Sequence, residues 1–264
     1  MNNQPIFAQY LDHLGTDLTV VNAARASFGK ESQWADAETR TLKTDDARLI
    51  RYLATGYRTK EWDELLDEIT KTASALIGYN ERREKLTDLL HTYKRRAQHW
   101  APFAHPQVRL RMTVPIFVAR QLAKHQHGGV WSEESRRYIS SAPDFWFPEK
   151  WHDRPQDVKQ GSGSALEGYA AMCADSYSTE AVVCAHKNYV RMLEAGVAPE
   201  EARMVLPQNT MTTVVWTGSL LFWARVYNQR SDSHAQRAGT QEFAQKLGEI
   251  MEPLYPVSWA ALTR

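Results

Sequence analysis

Apolar and polar positions alternate most regularly over Val108–Val114, where Val108, Leu110, Met112 and Val114 face one way and Arg109, Arg111 and Thr113 the other. A period of two predicts a half-buried strand. Directly after it comes Pro115–Tyr138, PIFVARQLAKHQHGGVWSEESRRY. This stretch begins as an apolar strip, becomes a cluster of cations and imidazoles, and ends as a glycine-hinged polar loop with two adjacent arginines. On a helix, Gln121, Lys124 and His125 fall at i, i+3 and i+4 and share one face. Gly128 and Gly129 then permit backbone geometry closed to other residues. The layout predicts a rigid element that delivers donors to an anionic ligand, with the alternative that it is a solvated polar helix end.

Helical spacing dominates elsewhere. Leu18–Phe28 (LTVVNAARASF) reads as a short β-branched strand passing into a turn or helix start. Thr44 and Asp45 suit the start of a helix through Tyr52 that Gly56 ends. From Lys60 to Gln98, Leu65, Leu66, Ile69, Ala73, Leu76 and Ile77 form one stripe. Leu86, Leu89 and Leu90 form a second, and Gly78 and Asn80 divide the two into a helical hairpin. His99–His105 (HWAPFAH) is an aromatic and proline turn. Ala165–Ala195 contains no proline and predicts one long helix ending at Gly196. Pro199, Glu200 and Glu201 suit the first turn of another, which carries Arg203. The most apolar helix predicted, from about Thr213 to Arg230, presents Arg230 and His234 at its polar end, and a last helix spans about Thr240–Met251.

The 264 residues suffice for one large domain or two small ones, and the net charge of +1 argues against a dedicated nucleic-acid binder. Cys173 and Cys184 cannot build a disulfide framework and no charged-then-apolar leader precedes them, so a soluble, cytoplasmic protein is expected. The most apolar stretch, Val214–Ala224, contains Thr217, Gly218 and Ser219 and is too short to span a bilayer. His99, His105, His125 and His127 match no zinc spacing, so stacking or hydrogen bonding is favoured over a metal. The two cysteines lie among alanines and valines and read as small buried hydrophobes rather than nucleophiles. Arg203 and Arg230 border apolar helical segments, where a guanidinium needs an anionic partner; a structural carboxylate and a ligand oxyanion both satisfy that need.

Taken together, VVNAARASF, HWAPFAH, PIFVARQ with its loop to SRRY, the PEKW and KQGSG pair, and RMVLP with NQRSDSHAQ resemble the flavin-dependent thymidylate synthase (ThyX) family, in the family's own order and over most of the chain. The resemblance implies an α/β (α+β) ThyX-like fold: a central, mostly antiparallel sheet with long helices in a single domain over residues 1–264. A helical hairpin would be inserted at about 58–98. It also implies a homotetramer whose active sites draw on several subunits and bind FAD. NADPH reduces the flavin and methylenetetrahydrofolate supplies one carbon to C5 of dUMP, a pyrimidine deoxynucleotide monophosphate. The cofactor supplies the hydride, so no enzyme nucleophile is required.

By position, Arg230 matches the arginine that contacts the uracil ring and stabilises its N3-ionised form. Gln121, Lys124, Glu133, Glu134, Ser135, Arg136, Arg137 and Arg203 match the nucleotide site, with Ser135, Arg137 and Arg203 near the phosphate. Ser27, His99, Lys124, His125, Gln126, Glu133, Arg225 and His234 match positions near FAD. The chain also departs from the pattern. Where the family has Arg-His-Arg, seven residues, then Ser, this sequence has Lys124-His125-Gln126 and eight residues before Ser135. Ala104 replaces a glutamate, and Arg225 and Ser219 replace asparagines. The departures surround the flavin and spare Gln121, Arg203 and Arg230. They leave open a dUMP methylase with an altered FAD pocket, a relative that methylates dCMP or hydroxymethylates a pyrimidine, and a non-catalytic nucleotide-binding homologue.

Overall fold

The computed structural model describes residues 3–56, 99–155, 161–231 and 237–263, together with 64 and 67. The predicted hairpin and His234 lie outside the described residues. The chain forms two compact units, Met1–His13 with Val108–Ile250, and Leu14–Gln107 with Met251–Arg264. No helix among the described residues is long and apolar enough to cross a membrane.

The first unit is built on a four-stranded antiparallel sheet of order β1-β2-β4-β3. Its strands are β1 (Phe7–Leu14), β2 (Gln107–Pro115), β3 (Gly129–Glu133) and β4 (Met211–Ser219). Strand β2 follows the alternation predicted for it: Val108, Leu110, Met112 and Val114 are all fully buried. Edge strand β1 has no such signal, because Phe7, Tyr10 and Leu14 stay exposed along it, and an exposed Arg109–Asp12 ion pair ties it to β2.

The predicted helix from about Thr213 is half strand. β4 is strand to Ser219, and only Leu220–Arg230 is helical (α6 below). The run Met-Thr-Thr-Val-Val-Trp-Thr is β-branched and aromatic, and Met211, Thr212, Val214 and Trp216 are buried. Ser219 marks the switch, its hydroxyl accepting from the Phe222 amide at 3.2 Å. The loop expected after Gly128 is likewise strand β3, paired antiparallel with β4 in the register Gly129↔Gly218 to Glu133↔Val214.

Both glycines in that first pair are required by packing. Trp216, Phe222 and Trp223 meet edge to face with ring centroids 5.0–5.1 Å apart. A methyl group on Gly129 would stand 2.7 Å from the Phe222 ring and 2.8 Å from the Trp216 indole nitrogen, and one on Gly218 would overlap the Phe222 ring.

In chain order the α-helices are α1 (Asp17–Ala26), α2 (Thr44–Thr55), α3 (Ile116–Leu122), α4 (Gly168–Glu194), α5 (Pro199–Ala202), α6 (Leu220–Arg230), α7 (Glu242–Leu254) and α8 (Pro256–Thr263). Helix α1 replaces the predicted strand. Thr16 and Thr19 form a capping box, Asp17 occupies the first turn, and Val20 and Val21 are completely buried, so packing overrides β-branching. Helix α2 ends where predicted, at Gly56 in the left-handed conformation. Helix α3 stops at Leu122, so Lys124 and His125 lie beyond it rather than on its face. The His125 amide bonds to the Leu122 carbonyl at 2.9 Å, three residues back, which tightens the turn, and no apolar side chain follows to continue the buried stripe. The long helix α4 is as expected, but Cys184 on it is exposed and Cys173 only half-buried, so neither is the core residue predicted.

In the second unit, Val20, Val21, Ile50, Leu53, Phe103, Tyr255 and Trp259 form the core. Buried Asp17 accepts from the Val257 and Ser258 amides at 2.9 Å each and so caps α8, while desolvation pushes its carboxyl above the ordinary value. Gly218→Ala is expected to lower unfolding stability by about 1–3 kcal/mol through overpacking. A urea melt whose midpoint matches the wild type would refute the proposed collision with Phe222.

Candidate functional site

Arg230 ends α6, and the chain leaving α3 comes to meet it. The Arg230 Nε–H donates to His125 Nε2 at 3.0 Å, and one Nη2–H reaches the Gln121 carbonyl at 3.4 Å. The Gln121 side chain is held in turn: its Oε1 accepts from the hydroxyl of Thr240, a fully buried residue, at 2.7 Å. The His125 ring lies 6.5 Å from Trp216, on the rim of the aromatic cluster. Gln121 and His125, read together in the sequence, and Arg230, read apart from them, are therefore one constellation. Thr240 was not foreseen, because an isolated threonine before a helix gives no chemical signal of its own.

Two features set the electrostatics. Both acceptors that hold Arg230 are uncharged, and among the described residues no carboxylate pairs with it. Half-burial pulls the guanidinium below its ordinary value. His125 is pulled from 6.5 down to about 4, first by desolvation and second by the Arg230 charge. An imidazole that accepts a hydrogen bond at Nε2 must be neutral and carry its proton on Nδ1.

The loop after β3 forms a second cluster in the same unit. Glu133 is fixed through both oxygens, Oε1 accepting from the Thr212 hydroxyl at 3.0 Å and Oε2 from the Trp131 indole at 3.2 Å. The exposed Glu134 donates its amide to the Thr213 carbonyl at 2.9 Å. Ser135 Oγ accepts from Arg137 Nε at 3.0 Å, and the exposed Arg137 lies 5.1 Å over the Tyr138 ring. Arg136 is half-buried and donates to the Ser141 carbonyl at 2.9 Å, but its Nε is buried without a partner among the described residues. Arg203 does not border a buried segment as predicted. It is exposed and donates to the Glu200 carbonyl at 3.1 Å, because α5 is only one turn long. Lys124, Gln126 and Arg225 are also exposed.

Ser27 and His99 belong to the second unit, where they line a cavity of about 990 Å³. Its wall adds Arg25, Lys30 and Arg48 to the aromatic rings of Tyr52 and Trp100. The Tyr52 and His99 rings lie 5.4 Å apart at a tilt of 33°, and the His99 amide bonds to the Leu53 carbonyl at 3.0 Å. Arg25 is matched by buried Asp46, which also accepts from Ser32. Asp45 lines the same cavity and pairs with Arg48 at 3.3 Å, so the wall carries both signs of charge beside its aromatic rings.

Because the folded protein holds His125 neutral to about pH 4 while an unfolded imidazole protonates near 6.5, the unfolded state binds the extra proton in that window. Stability contributed by this site is complete above about pH 6.5, declines as pH falls toward 4 and then levels off. The melting-temperature advantage of wild type over His125→Gln is expected to shrink across this window. An advantage independent of pH would contradict the assignment.

Comparison with known proteins identifies the family. Residues 9–257 match the family model for thymidylate synthase complementing proteins. The chain is 30% identical to the flavin-dependent thymidylate synthase of Thermosipho melanesiensis over 95% of its own length and 87% of that protein. It is 28% identical to the flavin-dependent thymidylate synthase of Thermus thermophilus, over 97% and 74% respectively. A crystal structure of the UMP/dUMP methylase PolB from Streptomyces cacaoi, bound with 5-Br dUMP, shares the fold, with a TM-score of 0.69, 23% identity, and coverage of 99% of this chain and 96% of that one. The same methylase has also been solved with 5-Br UMP. The chain belongs to the thymidylate synthase complementing protein family and is a methyltransferase of the flavin-dependent thymidylate synthase type.

Proposed function

We propose that this enzyme transfers a one-carbon unit from methylenetetrahydrofolate to C5 of a pyrimidine deoxynucleotide, converting dUMP to dTMP, with FAD as cofactor and NADPH as reductant. The observation that supports this most is the state of Arg230: a half-buried guanidinium oriented by neutral acceptors, with no carboxylate partner among the described residues. In this reading its charge, matched by no carboxylate among the described residues, is available to an anion. A uracil ring ionised at N3, or gaining negative charge as C5 reacts, is such an anion, and a fixed guanidinium stabilises it more than mobile water does. Bound flavin supplies the hydride that completes the methyl group.

In this reading Gln121 and Arg230 hold the nucleotide, and Ser135, Arg137 and Arg203 meet its phosphate. Glu133, Glu134 and Arg136 shape the loop around it, and Lys124 adds a cation. The cofactor takes Ser27 and His99 in the second unit, and Lys124, His125, Gln126, Glu133, Arg225 and His234 elsewhere in the chain. We assign the cavity of the second unit to part of FAD, a reading supported by Lys30 and by the Tyr52 and Trp100 rings in its wall. A homotetramer is part of the proposal, supported by the exposed Tyr169, Met172 and Tyr177 along α4. The proposal places the enzyme in the cytoplasm and treats 1–264 as one catalytic region with an insertion at about 58–98.

The direct test supplies purified enzyme with methylenetetrahydrofolate, NADPH and, in turn, dUMP, dCMP and UMP. The last is included because the solved relative is described as a UMP/dUMP methylase. dTMP from dUMP is the expected preferred product; faster formation of a 5-methyl or 5-hydroxymethyl product from dCMP overturns the uracil assignment. Arg230→Ala is expected to lower kcat/KM for the nucleotide by about 10²–10³, the usual effect of removing one preorganised donor to a developing anion. Turnover near the wild-type rate would remove Arg230 from the mechanism.

A further inference from the structure

Among the described residues, Arg230 receives its orientation from groups that give it no charge. Nε–H is committed to His125 Nε2 and one Nη2–H to the Gln121 carbonyl, while Nη1 makes no hydrogen bond to another described residue. The planar guanidinium has a fixed fork of donors, so fixing one edge fixes where the other points. A carboxylate in the place of His125 would orient the arginine equally well, but it would cancel the charge the ligand needs. The same chain shows that alternative at Arg25, which is paired with buried Asp46.

We propose that His125 is a positioning residue for the nucleotide anion site: its neutral Nε2 aims the Arg230 guanidinium at the ligand while leaving the arginine charge uncompensated. This inference rests on the reading of Arg230 as the nucleotide's arginine. It adds that the acceptor at position 125 must be both present and uncharged. The fold supports that geometry from two sides. Gln121, whose carbonyl is the second acceptor, is itself anchored by buried Thr240, and His125 sits beside Trp216 at the start of the segment leading into β3.

The test is a panel at one position in the full-length protein, with affinity for dUMP measured by calorimetry. His125→Gln keeps a neutral acceptor and is expected to bind within about threefold of wild type. His125→Ala loses the acceptor and is expected to weaken binding about tenfold, the scale of one hydrogen bond. His125→Glu restores an acceptor and adds a compensating charge, so it is expected to weaken binding more than His125→Ala while melting at an equal or higher temperature. A merely structural role for His125 predicts the opposite order, with affinity following melting temperature. Equal affinities for His125→Glu and His125→Gln overturn the requirement for neutrality, and wild-type affinity in His125→Ala overturns positioning.

A nucleotide-free arm separates this proposal from the function it rests on. Melting temperatures of His125→Ala, Arg230→Met and the double variant form a cycle. If the bond is formed as described, the double variant is no less stable than the weaker single variant; strictly additive losses overturn it. Failure of the wild type to bind dUMP with a non-additive cycle would instead reject the nucleotide and keep the His125–Arg230 coupling.

Discussion

The first unit depends on the Phe222 ring filling the space above a pair of glycines. Strand β4 passes into α6 without a loop, so the first helical turn must lie against the sheet it has just left. Gly129 and Gly218, opposite each other in β3 and β4, leave room for that turn, and Trp216 and Trp223 close around the ring. The Trp223 indole then donates to the Val108 carbonyl at 3.1 Å, tying the helix to β2. With the start of α6 fixed in this way, the place of Arg230 at its end is fixed too. The strand partner Gly129 lies four residues beyond His125, so the same packing constrains both ends of the Arg230–His125 hydrogen bond.

Three arginines in this chain are oriented by three kinds of partner. Arg109 pairs with Asp12 in solvent, an arrangement worth about 0–1 kcal/mol. Arg25 meets a buried Asp46 that also takes the Ser32 hydroxyl, so both charges are matched and the pair orders the segment between α1 and α2. Arg230 is held by an imidazole and a peptide carbonyl, and burial acts against its charge. Only the third arrangement pairs a partly desolvated cation with uncharged acceptors and, among the described residues, with no carboxylate. Desolvation disfavours the charged guanidinium there, and neither acceptor offsets that with a charge of its own.

Elements with a clean period or a strong stop were legible in the sequence. Strand β2 shows its alternation, α2 its terminal Gly56, and α4 its uninterrupted helical spacing. Segments whose structure is decided by distant packing were not. The Val20–Val21 pair suggests a strand until a capping box and full burial make it helical. The run from Thr213 to Arg230 is apolar enough for either state, and only Ser219 divides it. At the site, residue types and their order pointed to Gln121, His125 and Arg230, but not to a direct hydrogen bond between residues more than a hundred positions apart. Thr240 was invisible for the same reason, and Arg203 was misjudged because the helix before it is too short to bury it.

The three side chains of Lys124-His125-Gln126 sit in different surroundings. Helix α3 has already ended, and in the turn that follows Lys124 and Gln126 are exposed while His125 points back into partial burial against Arg230. Exchanging exposed cations alters charge that solvent largely screens, at little cost to the fold. Exchanging the middle residue would remove the acceptor from a half-buried guanidinium, whose lost hydrogen bond water replaces poorly. The two flanking side chains are therefore exposed and carry little packing constraint, whereas the histidine between them is bound to the arginine.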